Sequence, residues 1–568
     1  MQRIIGIIML ASTAAAWAMV QESQPVFRVS TQRVVIEFIA VDNNGNIITD
    51  LDKNEVSIEF DGKKQKVERL IAPLAAVRKP PGGSAQAAAG RPDAAEPGGP
   101  GLAPSLQQGP VRTTILLDSR ALDASNFHHS RRAIRRFIAH SLQDDHFVMI
   151  AEIDRKLQIL TPFTRDREAL LRAVAELKPA TLFNPLDTSR LRSAGAEYTD
   201  ELLEQMTYLR SSMRVLMHSL SAYPGRKHVV LFSEGYPMNP VQELEFATRL
   251  ATASSKSSSV RMRAARQGGR FKDPGVIEAT REIVSWANTY GVSFYTVDAR
   301  GLVGVPGLSA DSAPTGSLAS TARGAGLTSG VTSQGTVAIN LFRQTVLGDI
   351  FDAQNFLLAL AAGTNGSAFF NSNDLEAVLH ASTREQRFVY LASVVPDLKE
   401  KDKVKFRRVK VQCKRKGTVI RAQAGFFNLD TRQLFGMRLA QALETPHFFK
   451  ALQPVSEVKR KDGKVEVTFG IDGSQISFAA AENGMKRIEM VFVGQIFKKG
   501  GGAAFKALPI QRPFAMDLTA EQYSDLTSQP LVGHQELDLP AGRYRLVFVV
   551  EDRIAGAMGA REIEFEVH

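Results

Sequence analysis

The sequence predicts an α/β protein: a doubly wound, mostly parallel sheet with smaller all-β units before and after it. Three observations predict it. Two short apolar runs, Thr113-Thr114-Ile115-Leu116-Leu117 and Val229-Val230-Leu231-Phe232, lead into the acids Asp118 and Glu234. Between them and beyond, strand-like and helix-like stretches alternate from residue 111 to about 382. Outside that span the pattern returns to apolar–polar alternation of period two. Strands buried on both faces read as unbroken apolar runs, and such sheets place their sites at the C-terminal strand ends.

At 568 residues the chain is too long for one core, so several domains are expected. Arg3 precedes an apolar run over residues 4–18 that ends in Ala16-Trp17-Ala18, a small-residue cleavage pattern. Residues 1–18 therefore read as a secretory signal, the alternative being an uncleaved N-terminal anchor. After cleavage no transmembrane helix is expected, which gives an exported protein: periplasmic, at the cell surface or extracellular. The only cysteine, Cys413, shares parity with Val409 and Val411 and reads as a small buried hydrophobe. One cysteine forms no internal disulfide.

Residues 25–75 form a β unit. Strand-like residues 27–41 turn at Asn43-Asn44-Gly45, and a hairpin turn follows at Asp61-Gly62. This unit has too few strands to bury a core alone, so it is expected to pair with residues 385–428, with the α/β domain inserted between. Residues 76–110 are rich in Pro, Gly and Ala and read as a disordered linker. Residues 111–382 form the Rossmann-like α/β domain. Its clearest helix carries Leu202, Met206, Leu209, Met213, Leu216 and Leu220 at four–three spacing and stops at Tyr223-Pro224-Gly225. A strand at 292–297 ends at Asp298, and Asn373 is a candidate cap for the last helix. Two excursions, 254–272 and 301–340, are long enough to overhang the strand-end edge. Residues 383–430 return to β pattern, and 440–568 predict a C-terminal, immunoglobulin-like β-sandwich.

The net charge of +11 is concentrated. Residues 399–421 hold eleven basic against two acidic residues, a local +9, and residues 256–272 hold six basic and no acid. The first patch contains Lys405, Arg407, Arg408, Lys410, Lys414, Arg415 and Lys416. Such a patch suits an anionic polymer or membrane surface, or is a solvated strand face. Only one aromatic stands among the charges of each patch, Phe406 and Phe271, too few to stack bases, so specific nucleic-acid binding is not expected.

Several stretches resemble a VWFA-related family described from Acidobacteria, within the broader von Willebrand factor type A class. They are Val41-Asp42-Asn43-Asn44-Gly45, Phe60-Asp61-Gly62-Lys63, Pro224-Gly225-Arg226-Lys227 with the strand to Gly235, and Val297-Asp298-Ala299-Arg300-Gly301. Gly363-Thr364-Asn365-Gly366, Asn373-Asp374-Leu375 and Ala541-Gly542-Arg543-Tyr544-Arg545 follow in order. The resemblance implies an exported bacterial protein of largely unassigned role.

Type A domains often hold Mg²⁺ through an Asp-x-Ser-x-Ser loop, a threonine and a further Asp. The ion requires hard oxygen ligands. Asp118 matches the first Asp and is followed by Ser119, but Arg120 and Leu122 stand at the next ligand positions. Thr181 matches the threonine and Glu234 stands for the last Asp. No bound metal or other cofactor is therefore expected, although Asp123 and Ser125 in a shifted loop would keep Mg²⁺ open. Arg120 is a candidate to replace the ion with a fixed positive charge. The plainer reading of Asp118 and Glu234 is helix capping or loop hydrogen bonding.

The sequence contains no His-Glu-x-x-His, Gly-x-Ser-x-Gly or phosphate-loop motif. An enzyme is not expected, with an unrecognised hydrolase as the remote alternative. The leading expectation is a binding or adhesion module that presents Asp118, Ser119, Arg120, Thr181, Glu234 and Asp298 to a protein or glycan partner. The alternative is an envelope scaffold or assembly factor that grips anionic polymer.

Overall fold

The structure, a computed structural model, describes residues 34–73, 111–180, 195–238, 275–302, 350–396, 406–427, 429, 431–461, 464–481, 484–499 and 510–568. The signal-like segment, residues 76–110, the 254–272 excursion and most of 301–340 lie outside them.

The chain opens with β1 (Val34–Asp42), β2 (Val56–Phe60), β3 (Lys63–Gln65) and β4 (Val67–Ile71). The central unit begins with β5 (Val111–Asp118), α1 (Ala124–Arg136), β6 (His146–Ile153), β7 (Leu157–Thr164), α2 (Arg167–Glu176), α3 (Gly195–Ser221) and β8 (Lys227–Ser233). It continues with α4 (Val276–Thr289), β9 (Val292–Asp298), α5 (residues 350–363), β10 (Ala368–Phe369) and α6 (Leu375–Glu385). Its six strands lie in the order β10-β9-β8-β5-β6-β7. All neighbours are parallel except β7, which runs antiparallel to β6 after a tight turn.

Both faces of this sheet are covered, which is why β5, β8 and β9 are buried at almost every position. On one face Ile115, Leu117, Val230, Phe232, Tyr295 and Val297 pack under α1, α2 and α6. On the other, Leu116, Val229, Leu231 and Phe294 pack under α3, α4 and α5. The Leu/Met stripe of α3 is wholly buried there. The helix stops at a turn where Gly225 adopts φ +77° and Arg112 donates to the Pro224 carbonyl (2.8 Å). The last helix is capped by Asp374, whose carboxylate accepts from the Ala377 N–H, and not by Asn373. Asn373 instead accepts from the Leu302 N–H (2.9 Å) and pins the loop after β9. This helix also runs on to Glu385, past the expected boundary at 382.

Beyond it lie β11 (Tyr390–Val394), β12 (Phe406–Cys413), β13 (Thr418–Ala422) and β14 (Gly425–Phe427). They form two four-stranded sheets with the first strands, in the orders β13-β1-β11-β4 and β14-β12-β2-β3. Ile36, Phe38, Val56, Ile58, Phe60, Tyr390, Val394 and Phe426 fill one core shared by the two. Cys413 packs at its margin, half-buried and free. Asp61 and Gly62 take φ +49° and +81°, the left-handed pair a two-residue hairpin needs.

The C-terminal region is less purely β than its alternation suggests. It begins with α7 (Thr431–Glu444), then β15 (Val455–Lys461), β16 (Lys464–Asp472), β17 (Ala479–Ala480), β18 (Lys486–Lys498) and β19 (Ile510–Leu518). A second helix, α8 (Ala520–Ser528), precedes β20 (Pro530–Leu537), β21 (Gly542–Asp552) and β22 (Ala557–Val567). Tyr544, Leu546, Phe548 and Val550 of β21 face the region's own core, while Val547 and Val549 join the core under α3. The Met558 N–H donates to the Ala222 carbonyl (2.9 Å), and Arg438 of α7 forms a buried ion pair with Glu551 (3.1 Å). The C-terminal region is thus fastened to the α/β domain by packing and by hydrogen bonds.

Lys227 opens β8 at this junction with 6% exposure. Its Nζ donates to the Tyr223 carbonyl (3.2 Å), and burial, with Arg438 close by, pushes the ammonium down to about 7 from 10.5. A lysine depressed on folding gives up its proton more readily when folded. The cost to stability is therefore absent above the unfolded value, grows as pH falls and is complete below about 7. Lys227→Met is expected to stabilise the protein at pH 6.5–7 by roughly 3–5 kcal/mol and to flatten the pH dependence of denaturant midpoints on the alkaline side. An unchanged slope would mean that water reaches the side chain.

Candidate functional site

The parallel strands β5, β8 and β9 end together, with Ser233 directly opposite Asp298 in register. That edge collects Asp118, Ser119, Arg120, Glu234 and Asp298; Thr181 lies outside the described residues.

Asp118 is fully buried. Its Oδ2 accepts from the Ser233 hydroxyl and its Oδ1 from the Tyr236 hydroxyl, both at 3.2 Å. Burial pushes the carboxyl up to about 7, against the pull of these two donors. Gly235 makes the arrangement possible. It takes φ +77°, and a Cβ there would stand 2.2 Å from the Ala353 carbonyl oxygen, so only glycine lets this turn close on α5. Ser233 Oγ is itself fixed by the Gly235 N–H (3.0 Å), and the Tyr236 ring stands edge-on to Phe356.

The other acids are equally engaged. Glu234 accepts from the Asp123 N–H (2.6 Å) and the Asn126 amide (3.1 Å), so it ties β8 to the start of α1. Burial raises its pKa and those donors partly offset the rise. Asp298 accepts from Arg300 Nε (2.7 Å) and Nη2 (2.9 Å) in a fork–fork pair, and from the Gln354 amide (2.8 Å). Ser119 donates to Glu152, a partner on β6. Arg120 donates to no oxygen of Asp118; its guanidinium pairs with Asp154 in the β6–β7 turn (3.4 Å), and from there its positive charge still favours the ionised Asp118 carboxylate. That turn swings Asp154 to the mouth of the edge, where a less buried carboxylate competes better for the guanidinium than the sealed Asp118.

These residues do not fit Mg²⁺. Both Asp118 oxygens already accept from hydroxyls, and Arg120 and Leu122 bring no oxygen. Among the described residues no group of three or more His, Cys, Asp or Glu side chains is disposed to hold a metal ion. Asp123 caps α1 through the Ser125 N–H (3.0 Å), so the shifted loop serves the helix.

The basic patch lies elsewhere, on β12 and the turn after it. Lys405 is outside the described residues. Arg407 pairs with Asp61 (2.9 Å), and Arg415 pairs with Asp50 (2.7 Å) and Glu55 (2.8 Å). Arg408, Lys410, Lys414 and Lys416 remain exposed. The sheets that carry the patch meet the α/β domain at its opposite edge, through Arg226 to Glu37 (3.1 Å) and Arg421 to Glu385 (2.9 Å). Patch and strand-end edge are therefore separate surfaces.

Ser233, Tyr236, Glu152, Arg300 and Gln354 complete the edge and escaped the sequence reading. Arg300 had a signal, an arginine two residues after the strand-end acid, and Tyr236 had one in Ser233-Glu234-Gly235-Tyr236. Gln354 had none.

No family model matches the chain, and no curated protein matches it. Solved structures similar to it include von Willebrand factor type A domains. Three N-terminal domains of the type V pili tip protein Mfa5 from Porphyromonas gingivalis align over 80% of this chain and 70% of that one, at 8% identity and TM-score 0.25. A von Willebrand factor type A protein from Catenulispora acidiphila aligns over 81% and 65%, at 10% identity and TM-score 0.20. An aerotolerance-related membrane protein from Bacteroides fragilis aligns over 48% and 99%, at 11% identity and TM-score 0.23. At these scores the likenesses carry nothing about activity or partner.

A carboxyl raised on folding holds its proton longer when folded. Ionising Asp118 therefore costs nothing near the unfolded value of 3.8 and its full amount above about 7. Asp118→Asn is expected to leave stability at pH 4 unchanged within error. At pH 8 it should raise stability by roughly 2–4 kcal/mol, read from urea denaturation. Equal effects at both pH values would mean that the carboxyl titrates normally.

Proposed function

We propose that the chain is an exported binding module of the von Willebrand A type, related to the Acidobacterial VWFA group, that engages a protein or glycan partner at its strand-end edge without a metal ion. In this reading the flanking β units are immunoglobulin-like spacers. The observation that carries it is the self-contained edge: Asp118, Glu234 and Asp298 all accept from protein donors, leaving a preformed surface that asks nothing of a cation. Preorganised surfaces of this kind bind with little reorganisation cost. Arg120, Asp154, Asp123 and Ser125 form its accessible rim.

Binding rather than turnover is also favoured by burial. Ser119, the one hydroxyl hydrogen-bonded to a buried glutamate here, is 1% exposed and presents no nucleophile to a substrate. No described helix is long and apolar enough to cross a membrane. A polymer-gripping scaffold keeps some support from the four exposed cations on and after β12, although Asp61, Asp50 and Glu55 already neutralise Arg407 and Arg415.

Capture of partners from an envelope extract distinguishes these readings. Recovery on the immobilised full chain should be the same with EDTA or with added Mg²⁺, should survive Asp118→Asn, and should fall by about tenfold or more with Arg120→Glu. Calorimetry should give no stoichiometric heat with Mg²⁺. Cation-dependent capture would sink the metal-free reading. Capture that instead falls steeply with salt and with Lys410→Glu would transfer the function to the basic face.

A further inference from the structure

At the opposite, N-terminal edge of the central sheet lies a cavity of about 480 Å³, in the size range of small-molecule sites. It opens between the first residues of β5 and β6, the turn after α1, and α6. Val111, Phe137, Ala377 and Ala381 give it an apolar floor; His146, His380, Arg384 and Arg387 supply its main polar groups. Two arginines and two histidines line it, and no carboxylate does.

The acids that touch its wall are already paired. Asp145 accepts from Arg387 (2.9 Å), and Glu376 pairs with Arg136 (3.1 Å). Arg384 is exposed, and no carboxylate among the described residues pairs with it. The histidine at the back contributes no charge. Thr113 Oγ1 donates to Gln386 Oε1 (3.1 Å), so it accepts from His146 Nε2–H (2.7 Å), and burial holds that imidazole down to about 4. His146 is thus neutral, with its proton on Nε2. Asp145 already neutralises Arg387, so the one unpaired guanidinium, Arg384, above an apolar floor matches a singly charged ligand with an apolar body.

We propose that this cavity binds a small amphipathic carboxylate, its apolar body on Phe137, Ala377 and Ala381 and its carboxylate on Arg384 and Arg387. The site is independent of the strand-end edge, and its failure would leave the metal-free reading of that edge untouched.

Titration of the full chain by calorimetry and ligand-observed NMR tests it, with 3-phenylpropanoate, 4-methylpentanoate, the two corresponding amides and inorganic phosphate as probes. At least one carboxylate should bind saturably at one site, about tenfold or more tighter than its amide. Arg384→Glu, an exposed change on α6, should abolish that preference, and Ala381→Trp should block binding by filling the floor. Circular dichroism melting of both variants checks that they fold, and Asp118→Asn should bind like the parent. Binding of phosphate alone, equal binding of acid and amide, retention in a folded Arg384→Glu, or no saturable signal from either carboxylate overturns the proposal.

Discussion

A parallel sheet covered on both faces can keep polar groups only at its rims, and most of this molecule follows from that constraint. Inside β5, β8 and β9 nearly every side chain is buried, so the interior is mostly Ile, Leu, Val and Phe, with hydroxyls such as Thr296 Oγ1 paired internally, here to the Leu357 carbonyl (2.9 Å), and the acids fall at the last turn of backbone. There a carboxylate is still too deep to be solvated, and it must accept from protein donors, bind a cation or keep a proton. Asp298 takes a guanidinium, Glu234 a helix start, and Asp118 two hydroxyls with a raised pKa. The absence of oxygen ligands at Arg120 and Leu122 is compensated by groups from β8 and the turn after it.

The parts of the fold set by local pattern were legible in the residues. The runs before Asp118 and Glu234 are strands with parallel neighbours, and the α3 stripe is a buried helix face. What depends on distant partners was not. Arg120 finds Asp154 only because the β6–β7 turn brings it there. Asp118 meets Tyr236 only because Gly235 turns the chain back. The net charge of residues 399–421 is real, yet its neutralising acids, Asp50, Glu55 and Asp61, lie far away in sequence, so a charge count overstated the free surface. Helix α7 was hidden because its residues lack a strong apolar stripe, whereas α8 opens on a legible capping box, Thr519 with Gln522, that the period-two reading passed over. The partly buried apolar side chains of α7 are read only against β21 and α3.

The same dependence on distant partners welds the molecule together. β21 is apolar on both sides because one side closes its own core and the other meets α3 and α7. The Arg438–Glu551 pair is sealed within this contact. A buried pair of this kind adds little net stability but strongly penalises any arrangement that leaves one partner alone, so it fixes how α7 lies on β21. The Ser219 hydroxyl, which donates to the Phe448 carbonyl (2.9 Å), and the Ala222 carbonyl fasten that region to the α/β domain.

The pairing of β1 with β11 has a temporal side. The Leu51 N–H waits for the Tyr390 hydroxyl, 339 residues later in the chain, and Ile36 and Phe38 wait for the same strand. A chain made or threaded from its N-terminus therefore carries half a hydrophobic core without its other half until the α/β domain has passed. During that interval β1 and β2 are exposed sheet edges, open to mispairing with another copy. Synthesis of this protein is safest where a holdase shields its first strands.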